Sequence, residues 1–522
     1  MKTLVFCALL SSLATMVAGA ESVDPVVSVT GGQVRGRMLE QDGIAVFKDI
    51  PFAAAPVGDL RWRDPQPVKA WQGVRDGSTF GPACMQEVRE RGPKVATGYS
   101  EDCLHLNVWA PDWSAKARKP VMFWIFGGGS RTGTAAVDGF DGAALARRGV
   151  VVVTVDFRVG FFGFFVHPEL TAESPHHTAG NYGLLDQLAA LKWVHANIAR
   201  FGGDPGNVTV FGQSSGAWHT ELLVASPQST GLLQRAIQES GPGFPMATSQ
   251  EAEQAGARFA ASLGAPAGAS QIKFLRGLSS EKLQSAAGAA TKDSAPNMGP
   301  SVDGWYAPAH SAVMFAQGRE HRIPLLIGNN AQEMAGPKPE EVRNAVTAAF
   351  GINADKAMAY YGLTNGGPGN VDPLLGGVEK QVAADGLQRC GSVQEAIWHA
   401  ATGATVYEYQ FDRPLPGRSA TNHGGELPYV FGNFLTTATQ GVAFTDADRK
   451  VSNDVQIYWT NFAKTGNPNG AGMPAWPKFD AQQRQYLEFT TDSGPVAKAG
   501  LRREICDLYM ENVRSEMKLT GR

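Results

Sequence analysis

The stretch Gly212-Gln213-Ser214-Ser215-Gly216 combines residue types and spacing that could do chemistry. A serine hydroxyl becomes a useful nucleophile when the chain holds it exposed and a base stands beside it. Here the serine follows the apolar run Val208-Thr209-Val210-Phe211 and precedes Ala217–Leu223, which reads as a helix. A tight strand-to-helix turn of this kind crowds the backbones, which is why small residues flank the serine. The pentapeptide alone is a modest signal in a chain with 61 glycines, and its position between strand and helix gives it weight. Ser214 is the candidate nucleophile. The N–H of Ser215, at the start of the helix, faces the reacting oxygen with the positive end of the helix dipole.

Nucleophilic attack on a carbonyl creates a negative oxygen, which needs preorganised donors. Phe126-Gly127-Gly128-Gly129 ends an earlier apolar run. Glycines there let backbone N–H groups approach a substrate closely. Gly128 and Gly129, with Ser215, are the candidate oxyanion donors. Arg131 follows two residues later, close to where an acyl group would lie. Two readings apply to it: a surface arginine paired with a carboxylate, or a cation that attracts an anionic acyl group.

Positioning these groups requires buried strands alternating with helices. Val121–Phe126, Val150–Val155, Val208–Phe211 and Pro324–Ile327 are continuous apolar runs, which suits strands covered on both faces. Leu184, Leu188, Leu191, Val194 and Ile198 recur at helical spacing between the second and third runs. Thr405–Phe411 reads as another strand. The alternation predicts an α/β fold with a mainly parallel sheet flanked by helices. Val26–Pro51 reads as a small antiparallel hairpin region at the N-terminal side.

Composition narrows the function. Of the residues, 43% are hydrophobic, ample for a large core, and 46 basic against 49 acidic residues leave a formal net charge of −3. That balance gives no electrostatic reason to expect nucleic acid or a membrane surface as a partner. No internal apolar run is long enough for a membrane span. Lys2, the apolar stretch Leu4–Val17 and Ala18-Gly19-Ala20 have the form of a cleavable export signal over residues 1–20. Cys7 falls within it, so Cys84, Cys103, Cys390 and Cys506 remain. Four cysteines in an exported chain, secreted or periplasmic, suggest two disulfides with three possible pairings. The absence of repeats and linkers is consistent with a single catalytic domain over 21–522.

Several stretches together resemble the type-B carboxylesterases, the family of cholinesterases and several lipases. They are Glu101-Asp102-Cys103-Leu104-His105-Leu106-Asn107-Val108, Gly127–Gly129 and Gly212–Gly216, with support from Phe201-Gly202-Gly203-Asp204-Pro205 and Ser301-Val302-Asp303-Gly304. The resemblance implies an α/β-hydrolase fold and a Ser–Glu–His triad in that chain order. Gly328-Asn329-Asn330-Ala331-Gln332-Glu333 matches the family's acid loop and nominates Glu333. His423-Gly424-Gly425-Glu426-Leu427-Pro428 matches its histidine loop and nominates His423. The chemistry agrees, because an imidazole must take the serine proton and a carboxylate must orient the imidazole. His105, His195, His176, His177 and His219 lie on regular elements or in a polar loop and read as structural. The resemblance also pairs Cys84 with Cys103 and Cys390 with Cys506, and Arg61 with Glu101. It implies a small-molecule ester as substrate, with no metal and no organic cofactor. The oligomeric state is not legible.

This sequence departs from the family in ways that bear on substrate. Gln213 stands where Glu usually precedes the nucleophile, and Met334 follows the acid where Gly is usual. No Trp lies between Cys84 and Cys103 to hold a quaternary ammonium, so choline esters fit poorly. The expectation is a serine carboxylesterase, open to bulky or anionic polycarboxylate esters of toxin type. An amidase or carbamate hydrolase with the same triad, and a non-catalytic binding protein, are the alternatives.

Overall fold

The apolar runs form the middle of an eleven-stranded sheet. The computed structural model describes residues 24–519, except 40–41, 89–94, 112–115, 242–244, 268–269, 435–438, 440 and 491–493. The export signal expected over 1–20 lies outside the described residues. The sheet strands are β1 (Arg37–Leu39), β2 (Ile44–Pro51), β3 (His105–Ala110), β4 (Lys119–Ile125), β5 (Val151–Val155), β6 (Gly203–Gln213), β7 (Arg235–Glu239), β8 (Leu325–Asn330), β9 (Val406–Phe411), β10 (Gln485–Phe489) and β11 (Pro495–Ala499). Their order across the sheet is β11-β10-β9-β8-β7-β6-β4-β5-β3-β2-β1. Pairing is parallel from β5 to β10 and antiparallel at both margins. This is the α/β-hydrolase fold.

The parallel strands are apolar on both faces because helices cover both. Val151-Val152-Val153-Thr154-Val155 is buried throughout, and its β-branched side chains suit a pleated surface. Two strands run longer than their apolar cores. β6 starts at Gly203, which pairs with Lys119 before a register shift to Val208. β8 runs on to Asn330, so the first residues of the acid loop still belong to the sheet. The region Val26–Pro51 divides differently from the single hairpin expected. Val26–Val29 and Gly32–Arg35 pair antiparallel and add Val74–Asp76 in a separate sheet, whereas β1 and β2 join the main one.

The helices used below are α1 (Tyr182–Asn197), α2 (Ser215–Ala225), α3 (Val342–Phe350), α4 (Val378–Ala384), α5 (Cys390–Ala401), α6 (Asp446–Thr465) and α7 (Arg503–Glu516). α1 carries the leucine repeat. α6 begins with a capping box in which Thr445 Oγ1 accepts the Asp448 N–H and Asp448 accepts the Thr445 N–H at 2.8 Å. Disulfides join Cys84 to Cys103 and Cys390 to Cys506, the latter tying α7 to α5. Arg61 and Glu101 form a two-pronged ion pair with both contacts at 2.6 Å.

Ser214 directly follows β6, Glu333 lies three residues beyond β8, and His423 lies in the loop after β9. All three therefore sit at the carboxyl ends of parallel strands, the usual location of ligand sites in such sheets.

Candidate active site

Ser214 is held at φ 57° and ψ −128°, a backbone conformation that L-residues rarely adopt. Its N–H donates to the Glu239 carbonyl at 2.8 Å, and its carbonyl accepts from Trp218 N–H at 3.0 Å in the first turn of α2. Crowding explains the flanking glycine: a Cβ on Gly216 would lie 2.1 Å from the Ile125 carbonyl oxygen at the end of β4.

The glycine run turns back on itself, with Gly128 at φ 128° and Gly129 at φ 68°. A side chain at Gly128 would strike the Thr132 carbonyl oxygen at 1.9 Å. The Gly128 and Gly129 N–H groups donate to no acceptor among the described residues, which leaves them available to a substrate oxygen. A buried chain of hydrogen bonds fixes this loop against α1 and α2. Ser130 N–H donates to Ser215 Oγ at 3.0 Å, Ser130 Oγ meets His219 Nε2 at 2.8 Å, and Gln187 meets His219 Nδ1 at 2.8 Å. Burial pushes His219 down to about 3, so it stays neutral and acts as a strut. Gln86 clamps the other side, accepting from Gly133 N–H at 2.7 Å and donating to its carbonyl at 2.8 Å.

Glu333 and His423 meet directly, with Oε2 and Nδ1 2.7 Å apart. The other carboxylate oxygen accepts from the Ser240 hydroxyl at 2.6 Å and from Asn330 N–H at 2.8 Å. Backbone supports the pair, because His423 N–H donates to the Glu333 carbonyl at 3.0 Å. Burial alone would push the imidazole down, but the hydrogen bond and charge of Glu333 hold it above its ordinary value. Two further carboxyls pack nearby. Burial and the charge of Glu333 push Glu426 up to about 7, and burial and the charge of Glu426 hold Glu239 well above the usual range.

No hydrogen bond joins the Ser214 hydroxyl to His423 among the described residues. Instead the Gln213 amide nitrogen lies 3.3 Å from His423 Nε2, so that nitrogen carries a lone pair while Nδ1–H points at Glu333. This is the tautomer a general base requires. Gln388 lies 3.4 Å from Nδ1 and also donates to the Ser240 carbonyl. The structure thus brings Ser214, Ser215, Gly128, Gly129, Glu333 and His423 to one place. Arg131, two residues beyond Gly129, is exposed, and its side chain forms no ion pair with the described residues. In the loop Leu363–Val378 the Leu374 carbonyl accepts from the Gln332 amide at 3.0 Å. Residues 89–94, within the loop closed by the Cys84–Cys103 disulfide, lie outside the described residues.

Sequence reasoning missed Ser240, Gln388, Gln86 and the contact of Gln213 with the imidazole. Ser240 had a local signal, since it opens the turn-forming triplet Ser240-Gly241-Pro242, and the structure holds it at φ 55° next to the site. Gln388 and Gln86 had none, because their partners lie far away along the chain. Among the described residues, no group of His, Cys, Asp and Glu is arranged to hold a metal ion.

Fold and site together define an α/β-hydrolase with a serine at its strand-to-helix elbow. The chain belongs to the carboxylesterase family, whose profile matches residues 23–361 and 377–509. It is a carboxylic ester hydrolase. It is 38% identical over 495 residues to a fumonisin B1 esterase of Sphingopyxis macrogoltabida, covering 91% of this chain and 88% of that one. It is 34% identical over 544 residues to liver carboxylesterase 1 of Oryctolagus cuniculus, covering 92% and 93%. A solved PNB esterase superposes with a TM-score of 0.79 at 33% identity, covering 93% of this chain and 99% of that chain.

Proposed function

We propose that the chain hydrolyses esters through an acyl-enzyme, with Ser214, His423 and Glu333 as its triad and residues 21–522 acting as one catalytic domain. The observation that carries this reading is the 2.7 Å contact of Glu333 with His423 Nδ1, at the same sheet edge as a strained serine. Ser214 Oγ attacks the ester carbonyl while His423 Nε2 takes its proton. For this the Gln213 amide swings off Nε2 and the hydroxyl takes its place. Gly128, Gly129 and Ser215 N–H groups receive the oxyanion. His423 then gives the proton to the leaving alcohol. Water activated by the same imidazole releases the acid. Glu333 keeps Nδ1 protonated and stabilises the imidazolium.

The acyl group is an anionic one, on the ground that Arg131 stands beside the oxyanion loop without an ionic partner among the described residues. The relative that acts on fumonisin B1 agrees with a toxin-type ester. Export to an oxidising compartment fits the two disulfides, and no helix among the described residues is long and apolar enough to cross a membrane.

An organophosphate that forms a one-to-one adduct on Ser214 tests the nucleophile. Ser214→Ala should lose the adduct and essentially all ester hydrolysis. Label on another residue, or full activity in Ser214→Ala, would overturn the reading. Matched amide and carbamate substrates run in parallel should turn over far more slowly than the ester.

A further inference from the structure

α4 runs into α5 without a break through one π turn, Asp385–Arg389. Such turns are rare, and they concentrate at functional sites. This one is firmly anchored. It packs against α3 and α7. Asp385 accepts from the Tyr361 hydroxyl at 2.9 Å and from Arg389 at 2.6 Å. Arg389 also donates to the Asn330 and Ala331 carbonyls at the head of the acid loop. Its neighbour Gln388 reaches the site itself.

Gln388 is 1% exposed. Its Nε2 donates to the Ser240 carbonyl at 3.3 Å, the one donor to that carbonyl among the described residues. The same nitrogen lies 3.4 Å from His423 Nδ1, whose hydrogen is committed to Glu333, so it packs against the ring there. Gln388 Oε1 is buried without a hydrogen-bond partner. Such an oxygen is destabilising, and a leucine or methionine at this position would avoid it. What the glutamine adds is the nitrogen end. Turning the amide over would set Oε1 against the Ser240 carbonyl oxygen, acceptor against acceptor, so its orientation is fixed.

Ser240 links this amide to the triad. Its φ of 55° is uncommon for an L-residue and persists only where neighbours hold it. Three contacts do so. Its N–H donates to the Gly328 carbonyl at 2.8 Å, its hydroxyl donates to Glu333 Oε1 at 2.6 Å, and its carbonyl accepts from Gln388. Without the third, the strained residue can relax and carry its hydroxyl off Glu333. That carboxylate oxygen would keep the Asn330 N–H alone, and the alignment of Glu333 on His423 Nδ1 would loosen.

We propose that Gln388 is a positioning residue for ester hydrolysis, acting through Ser240. The π turn delivers its amide to the Ser240 carbonyl, which fixes the Ser240 hydroxyl on Glu333 and so Glu333 on His423. The role rests on the triad reading above.

Two substitutions in the full chain test this. Gln388→Met keeps the volume and removes the amide, and Gln388→Asn withdraws the amide by one methylene. Each should lower kcat for p-nitrophenyl butyrate about tenfold or more, the scale of a small misplacement at a reacting centre, while KM changes less than about twofold. Ser240→Ala removes the hydroxyl through which Gln388 acts. In that background Gln388→Met should cost less than about a further twofold in kcat, because the two residues work as one unit. Thermal melting identifies the folded variants, and Gln388→Asn serves if Gln388→Met does not fold. Wild-type kcat in the Gln388 variants, a change in KM alone, or losses that multiply in the double variant would overturn the proposal. Ser214→Ala measured beside them keeps the two readings apart. Activity that survives Ser214→Ala removes the triad, whereas activity lost there with independent effects of Gln388 and Ser240 removes this proposal alone.

Discussion

At the scale of single residues, the imidazole of His423 is governed by two neighbours of opposite effect. Glu333 favours its protonated form, while Gln213 donates to Nε2 and favours the neutral one. On the proposed mechanism a neutral imidazole takes the serine proton, so kcat/KM should climb as pH rises through the His423 pKa. That pKa is held above 6.5, which places the acid limb of the profile above the usual imidazole range. Glu333→Gln removes the charge and leaves burial to dominate, so the limb should move to lower pH while kcat falls about 10⁴-fold. Gln213→Glu puts a carboxylate where the amide donor stands. Imidazolium is then favoured and the limb should move to higher pH by about one unit. A pH–rate profile of each variant checks both signs. Movement of the two limbs in the same direction would show that Glu333 and Gln213 do not act on His423.

At the scale of elements, a single π-helical turn, Asp385–Arg389, connects the C-terminal helix to the acid loop. Arg389 is fully buried, pairs with Asp385 at 2.6 Å, and donates to the Asn330 and Ala331 carbonyls at 3.1 and 2.7 Å. Arg502, one residue before α7, pairs with the same Asp385. The Cys390–Cys506 bond staples this unit and closes 116 residues, against 19 for Cys84–Cys103. Chain entropy then ranks them at about 5 and about 3 kcal/mol. Cys390→Ser/Cys506→Ser should lower Tm more than Cys84→Ser/Cys103→Ser, as differential scanning calorimetry would show. The reverse order would mean that strain or residual structure outweighs loop length. Such units also mark the limit of what a sequence discloses. The βα alternation and the serine turn were legible because strand periodicity, glycine crowding and helix starts are local. Gln388 and Arg389 read as ordinary helix residues, since the Ser240 and Asn330 carbonyls they reach lie 148 and 59 positions away.

At the scale of the whole molecule, 46 basic and 49 acidic residues leave little net field to draw a charged ester from a distance. Selection by charge must then be local, and Arg131 is the local candidate. Arg131 stands exposed two residues beyond Gly129. Arg131→Ala should therefore raise KM about two- to fivefold for an acyl-carboxylate ester, the range expected of one exposed ionic contact. A neutral ester of the same size should be unaffected. Salt should act in parallel, because an exposed contact is screened within about 10 Å at 0.1 M. The wild type should lose its preference for the anionic ester as salt rises, and the variant should show no salt dependence to lose. Steady-state kinetics on the two esters at low and high ionic strength decide the matter. An equal loss on both esters would assign Arg131 to the architecture of the loop instead.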